Sequence, residues 1–276
     1  MEFSVSVMMA IALIILFSGM VQSAIGFGYA LVAMALLPFF LEVKPANLIV
    51  SYSAFAPIAL AAWVYRKEMA RESILLALTS ALLALPLGIA VLVYVDDDLL
   101  VRLTGFIILA MAIDGLVRKT TVSAESPTSN LWTVIAGAAS GFLAGAVTIG
   151  GPPIAIYTAR QPWSPKKMKA FLTTFLLVVT TIKLFGLMTT NLVNREILFV
   201  SALVIPFAFL GGQIGVWISD KINPRLFRYL ILGMLSVSST LMIIRGAPDI
   251  EPTGVENTQY KHEAQASESF KVENGN

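Results

Sequence analysis

The side chains able to do chemistry in this sequence gather around two glycine-broken apolar stretches. These are Ser18 to Met34 (SGMVQSAIGFGYALVAM) and Ser140 to Tyr157 (SGFLAGAVTIGGPPIAIY). In the second, Gly150 and Gly151 run straight into Pro152 and Pro153; in the first, Gly26 and Gly28 flank Phe27. Glycine permits backbone dihedrals that other residues resist, and proline is tolerated in the first turn of a helix, where its missing N–H has no partner to lose. GGPP therefore reads as the end of one half-helix and the start of another. A helix that starts inside apolar chain points unpaired N–H groups, and a partial positive charge of roughly half a unit, at whatever lies beyond it. Polar side chains stand close by: Gln22, Ser23 and Thr148 at the breaks, and Ser51, Ser53, Thr173 and Thr174 on the stretches that follow. Each hydroxyl has a simpler use as a back-bond in its own helix or a small packing contact. Gathered about two breaks, they read as a set of hydrogen-bond donors.

Lys183, in TTIKLFG, is the only basic residue well inside an apolar stretch. A cation at mid-span costs about 2.5–3.5 kcal/mol on insertion scales, so it normally faces a cavity or a partner. It reads as a ligand or gate, or as a snorkelling side chain whose ammonium reaches the interface. Gln213, in GGQIGVW, reads as a ligand of the second half or as a hydrogen bond between helices. Carboxylates offer little. Asp114 lies four residues from Arg118, which suits a surface ion pair, and Asp96 to Asp98 suit a solvated loop. There is no cysteine, and the only histidine, His262, sits in a polar tail. An intramembrane enzyme would need a nucleophile with a base, or a metal site, and a cation carrier would want buried carboxylates; the apolar stretches offer neither. No cofactor and no metal is expected, and no nucleotide-binding motif appears.

The elements that must position these groups are membrane spans. Hydrophobic residues make up 57% of the 276 and charged residues only 13%, against roughly 25% charged in soluble domains. The net charge of +2 carries little information about partners; its distribution says more. Residues 4–41 are too long for one span of ~20 residues, and with the break they read as two short segments forming a hairpin. The first of them is taken as a retained span, because it lacks a basic leader region. Further spans are expected at 46–65, 73–95 and 99–117, a broken segment at 131–159, and spans at 170–190, 197–218 and 226–244. Pro57, Pro86 and Pro206 fall within spans, where kinks are expected, and Trp63, Trp132, Trp163 and Trp217 fall near span ends, as an interfacial aromatic belt requires. The domain organisation expected is a first membrane repeat at 1–117, a polar linker at 118–130, a second repeat at 131–245 and a disordered polar tail at 246–276.

The two halves match at a nearly fixed offset. Ser18-Gly19 matches Ser140-Gly141, Gly28 matches Gly150, Lys44 matches Lys166 and Ser51 matches Thr173; Gly88 and Asp96 match Gly212 and Asp220 at an offset two larger, and Arg102 matches Arg228 after two more. Basic residues cluster at Arg66, Lys67 and Arg71, at Arg118 and Lys119, at Arg160, Lys166, Lys167 and Lys169, and at Lys221, Arg225 and Arg228, while loops 42–45, 96–98 and 191–196 are poor in them. The positive-inside rule puts the first set in the cytoplasm and the second outside. Equivalent loops then fall on opposite faces, as in an inverted repeat. The rival count makes each broken segment one long crossing and the halves parallel. The fold class expected is thus an all-α polytopic membrane protein of two homologous halves, an inverted repeat with glycine-broken helices and 8–10 membrane segments.

The glycine-broken first helix with SAIGFG (Ser23–Gly28), the GxxxGxxxIGGPPxxxY stretch (Gly141–Tyr157) and the duplicated layout resemble the sulfite exporter TauE/SafE family of membrane permeases. The resemblance covers about residues 5–245. It implies a bacterial inner-membrane transporter for sulfite or small organosulfonates such as sulfoacetate. Given such an oxyanion, two half-helix N-termini converging on the cargo would each favour it by ~1 kcal/mol, with the polar groups above completing its shell. The alternatives are a transporter of another small anion or carboxylate, and a membrane scaffold or assembly protein. The expected partners are the anionic substrate and the lipid bilayer; a homodimer is compatible with the sequence, and no nucleic acid is expected.

Overall fold

Apolar runs of about twenty residues in lipid have one economical solution, a helix that satisfies its own backbone. The computed structural model describes residues 5–68, 74–117, 129–218 and 224–246. Among them the regular elements are all helices: α1 (Val5–Ile25), α2 (Tyr29–Leu36), α3 (Val43–Tyr65), α4 (Ile74–Tyr94), α5 (Asp97–Val117), α6 (Asn130–Val147), α7 (Gly151–Ala159), α8 (Pro165–Met188), α9 (Arg195–Ile218) and α10 (Pro224–Arg245), with 3-10 turns at Leu37–Phe39 and Arg66–Glu68. Six of them, α1, α3, α4, α6, α8 and α9, are long and apolar enough to cross a membrane. This is an all-α, multi-pass membrane protein. Pro57, Pro86 and Pro206 lie inside α3, α4 and α9. The Asp114–Arg118 pair, Arg71, Lys119, the Lys221 loop, the side chains of Arg225 and Arg228, most of the linker and the tail from 247 on lie outside the described residues.

Both broken segments are hairpins. Ser140 Oγ accepts from the Ile154 N–H at 3.1 Å and donates to the Gly150 carbonyl at 2.6 Å. Residues fourteen apart in an unbroken helix would be about 21 Å apart, so the rival single crossing is excluded for this segment. Farther down, the Thr133 hydroxyl donates to the Tyr157 hydroxyl at 3.1 Å. The short α7 therefore folds back along α6. In the first half one side chain closes the turn: the Gln22 amide donates to the Gly26 carbonyl and accepts from the Tyr29 N–H, both at 3.2 Å.

Helix directions follow from which residues meet. Asn47, near the start of α3, meets Lys183 late in α8, while Tyr65, at the end of α3, has Lys169 Nζ 5.4 Å from its ring centre near the start of α8. So α3 and α8, which the sequence offset pairs, run antiparallel. The same holds for α5 and α10, since Arg102 early in α5 donates to the Ile243 carbonyl late in α10 at 3.1 Å. Lys44 pairs with Asp97 at 3.0 Å, which brings loops 42–45 and 96–98 to one end. The opposite end holds Arg66 stacked on Trp63, Arg160 on Trp132 and Lys167 on Trp163.

The halves are interlocked by small residues. On α6, Gly137, Gly141 and Gly145 recur every four residues and lie directly against the backbone of Ala77, Ala81 and Leu85 on α4. On α9, Gly211 and Gly215 lie against the backbone of Leu16 and Met20 on α1. Each half thus packs its first helix on the other half's penultimate long one. Small residues let backbones approach where lipid supplies no hydrophobic drive to bring helices together.

Gly141→Leu should consequently force α4 and α6 apart. Overpacking costs about 1–3 kcal/mol where neighbours can shift, and here the neighbour is backbone. The detergent-solubilised variant is expected to unfold at a clearly lower temperature, while Gly233→Leu, at a position with open space around it, should match the parent.

Candidate functional site

The two breaks, with α3 and α8, enclose a cavity of about 40 Å³, room for a few water molecules. Its wall includes Gln22, Gly28, Ser51, Thr148, Gly150, Gly151, Pro152, Thr180 and Lys183. Phe27, between the glycines of the first break, lies against Gly151 of the second.

Lys183 organises the polar side of this cavity. It is 2% exposed, so it does not snorkel. Its Nζ donates to Asn47 Oδ1 at 3.0 Å and to Thr148 Oγ1 at 2.7 Å. Asn47 is held in the orientation this needs, because its Nδ2 donates to the Ala146 carbonyl at 3.2 Å at the end of α6, which turns Oδ1 towards the ammonium. Thr148 Oγ1 donates to the same Oδ1 at 2.7 Å, and Ser51 Oγ, which donates to the Asn47 carbonyl at 2.7 Å, lies 3.2 Å from Thr148 Oγ1. Two of the three ammonium protons thus have neutral acceptors. Among the described residues no carboxylate pairs with Lys183. The arrangement is a buried, oriented lysine amine facing a small void, with no carboxylate beside it among the described residues.

The backbone at the second break departs from the sequence reading. The residue in left-handed geometry there is Thr148, at φ 64°, whereas Gly150 sits at φ −81°. Gly150 and Gly151 supply space instead. A Cβ on Gly150 would stand 2.8 Å from Ala144 Cβ and the Ser140 carbonyl, and one on Gly151 would stand 3.1 Å from Phe27 Cβ. In the first break the glycines do supply the conformation, Gly26 at φ 99° and Gly28 at φ 112°.

The half-helix starts also hold fewer donors than expected. The Tyr29 N–H is taken by Gln22 and the Ile154 N–H by Ser140, and Pro152 and Pro153 have no N–H to give. At α7 the unspent donors reduce to the glycines. The dipole survives, but the strong donor in the cavity is Lys183.

Not all the sequence candidates meet. Ser53 accepts from the Tyr29 hydroxyl at 2.7 Å and back-bonds to Ile49, and Thr173 back-bonds to Lys169; both lie outside the cavity wall. Ser23 is buried beside Gly212, and Gly26 packs against the Lys169 side chain. Thr174 is half-buried on α8 away from the cavity, and Gln213 is exposed on the outer face of α9. Those positions separate them from the cavity because a helix presents only one face to it. Asn47 was not singled out in the sequence. The signal was there: at the repeat offset that pairs Lys44 with Lys166, Asn47 pairs with Lys169, and Thr148 with Gly26. Lys169 packs on Gly26 as Asn47 bonds Thr148.

A family model described as "Sulfite exporter TauE/SafE" matches residues 11–242, most of the chain. No curated protein and no solved structure matches it.

The network makes a stability prediction with a built-in control. Lys183→Met removes a buried ammonium along with its desolvation penalty, so the thermal midpoint should hold or rise. Asn47→Leu strips an acceptor from that ammonium and should cost about 1–3 kcal/mol. In the double variant much of that loss should return, since the stranded charge is gone. Equal losses from Asn47→Leu with and without Lys183 would show that the two groups are not coupled.

Proposed function

This chain belongs to the sulfite exporter TauE/SafE family, and on that premise we propose that it is a secondary permease for a small sulfur oxyanion, sulfite or a short organosulfonate, in the bacterial inner membrane. Membership makes it a membrane transporter. The observation that carries the finer reading is Lys183, a buried ammonium with neutral partners beside a void. An anion crossing the bilayer must replace its hydration, and the groups left to do so around the void are the third Lys183 proton and the two half-helix termini at roughly 1 kcal/mol each. The Ser51 and Thr148 hydroxyls can turn to the ion only by giving up their bonds to Asn47. At 4 Å and an effective dielectric of 20, attraction to the ammonium alone is about 4 kcal/mol. That offsets part of the hydration the ion loses, and a single charge leaves release feasible. Space for only a few waters favours a compact anion over a bulky sulfonate.

The transport cycle proposed is alternating access in an inverted repeat. The antiparallel pairing of α3 with α8 and of α5 with α10 supports it, because equivalent helices of inverted halves must run in opposite directions. The end with Arg66, Arg160 and Lys167 faces the cytoplasm on the positive-inside rule.

Reconstituted protein tested against sulfite, sulfate, sulfoacetate, taurine and simple carboxylates should show saturable flux of sulfite, lost in Lys183→Met and retained in Gln213→Leu. Carboxylate flux without sulfite flux would replace the cargo with the alternative one. Flux of none would favour a scaffold. Reporters fused after residues 67 and 167 should locate to the cytoplasm and one after 97 to the outside; finding 97 on the side of 67 removes the inverted repeat.

A further inference from the structure

A second void lies on the far side of the α6–α7 hairpin. It measures about 170 Å³, four times the polar cavity, and runs between Ile135, Ala136 and Ala139 of α6 and Pro153 and Ile156 of α7. Its wall is mostly apolar; Tyr157 also lines it, with its hydroxyl taken by Thr133, and Arg160 closes the α7 end with its guanidinium 5.1 Å from the centre of the Trp132 ring. Trp132 and Ile135 are about half exposed on the outer surface of α6. Apolar voids near 150 Å³ stay dry and take up apolar molecules, and this one lies beside the exposed apolar side chains of a helix long and apolar enough to span a membrane.

We propose that this groove holds one acyl chain of an anionic phospholipid, its phosphate on Arg160. Three observations select that occupant. The small floor at Ala136 and Ala139 fits a single chain and leaves no room for a partner helix. The mouth carries an arginine that no carboxylate pairs among the described residues, and guanidinium matches phosphate bidentately. Trp132 and Arg160 lie together at the end rich in basic and aromatic residues, where headgroups sit. The substrate anion does not fit these features, because it has no chain for the apolar wall. The site also has a position that matters. Pro153 lines the lipid groove while the preceding Pro152 lines the polar cavity, so a chain seated there backs the short helix that walls the substrate void.

The test is lipid binding to the full chain and does not depend on which anion is carried. Native mass spectrometry of detergent-purified protein with phosphatidylglycerol or phosphatidylcholine should show about a tenfold preference for the former. Arg160→Gln should erase the preference, and Ala139→Phe should remove the tightly held lipid, while Arg66→Gln, which breaks the stack on Trp63 away from this groove, should change neither. Inorganic phosphate at millimolar concentration should fail to displace the lipid, because it lacks the chain. Should Ala139→Phe not fold, chain-brominated phosphatidylglycerol supplies the same answer in the parent: it should quench tryptophan emission more than brominated phosphatidylcholine, and the difference should vanish in Trp132→Phe. Equal binding of both lipids, or a preference indifferent to Arg160 and to Trp132, overturns the site.

Discussion

Inside a bilayer each backbone N–H and C=O must find a partner within the protein, and the two helix breaks are where this chain meets that demand. Each is closed by a single side chain reaching across the turn. Gln22 spans the first break, giving a proton to the Gly26 carbonyl and taking one from Tyr29. Ser140 spans the second in the same sense, between the Gly150 carbonyl and Ile154. Asn47 reaches from α3 to the Ala146 carbonyl that the end of α6 leaves over. The cavity between the breaks exists because these three residues make an irregular backbone tolerable there. Pro152 and Pro153 serve the same end differently, by removing two N–H groups that would otherwise need partners.

The polar cavity then rests on an incomplete balance of charge. Burying an ammonium costs several kcal/mol even after relaxation, and hydrogen bonds from a charged group to Asn47 and Thr148 return about 1.5–3 kcal/mol each. The two bonds offset part of that cost. A carboxylate would stabilise the site further and would also satisfy Lys183, closing the site to the anion proposed above. Neutral partners are what keep the cation available.

Much of this was legible in the sequence because it depends on composition and on residues with unusual backbones. Uncharged runs fix the helices to within a few residues at their ends, and glycine clusters mark both breaks. The hairpin form was legible too, from a run longer than one span and shorter than two full ones. Less visible was how tertiary contact decides between equivalent residue types. Thr148 takes left-handed geometry beside two glycines able to take it more cheaply, because its hydroxyl is held by Asn47 and Lys183. Whether a given Ser or Thr faces the cavity is a matter of helix rotation, which a nearly uniform apolar helix does not encode; Ser51 and Ser53, two residues apart, go to different neighbours. Asn47 lay near the expected start of a span, where an amide looks like an ordinary interfacial residue.

The proposed repeat would explain why Asn47 matters, and it would give the two ends of the molecule different roles. Equivalent positions hold Asn47 against Thr148 at one break and Lys169 against Gly26 at the other. The geometry of the contact is kept: the fifth residue of α3 or α8 reaches the other half's break. The chemistry is not kept. Asn47 can accept, so it anchors a cation from the facing helix; Lys169 can only donate, so it supplies one itself, with its stem on Gly26 and its ammonium over the Tyr65 ring. On α8 the two lysines are fourteen residues apart, about 21 Å along the helix. One is sealed among neutral partners and the other is partly open at the basic end. On the proposed duplication, these exchanges place positive charge towards both ends of one helix past the breaks, a layout that suits the negative cargo proposed for the chain.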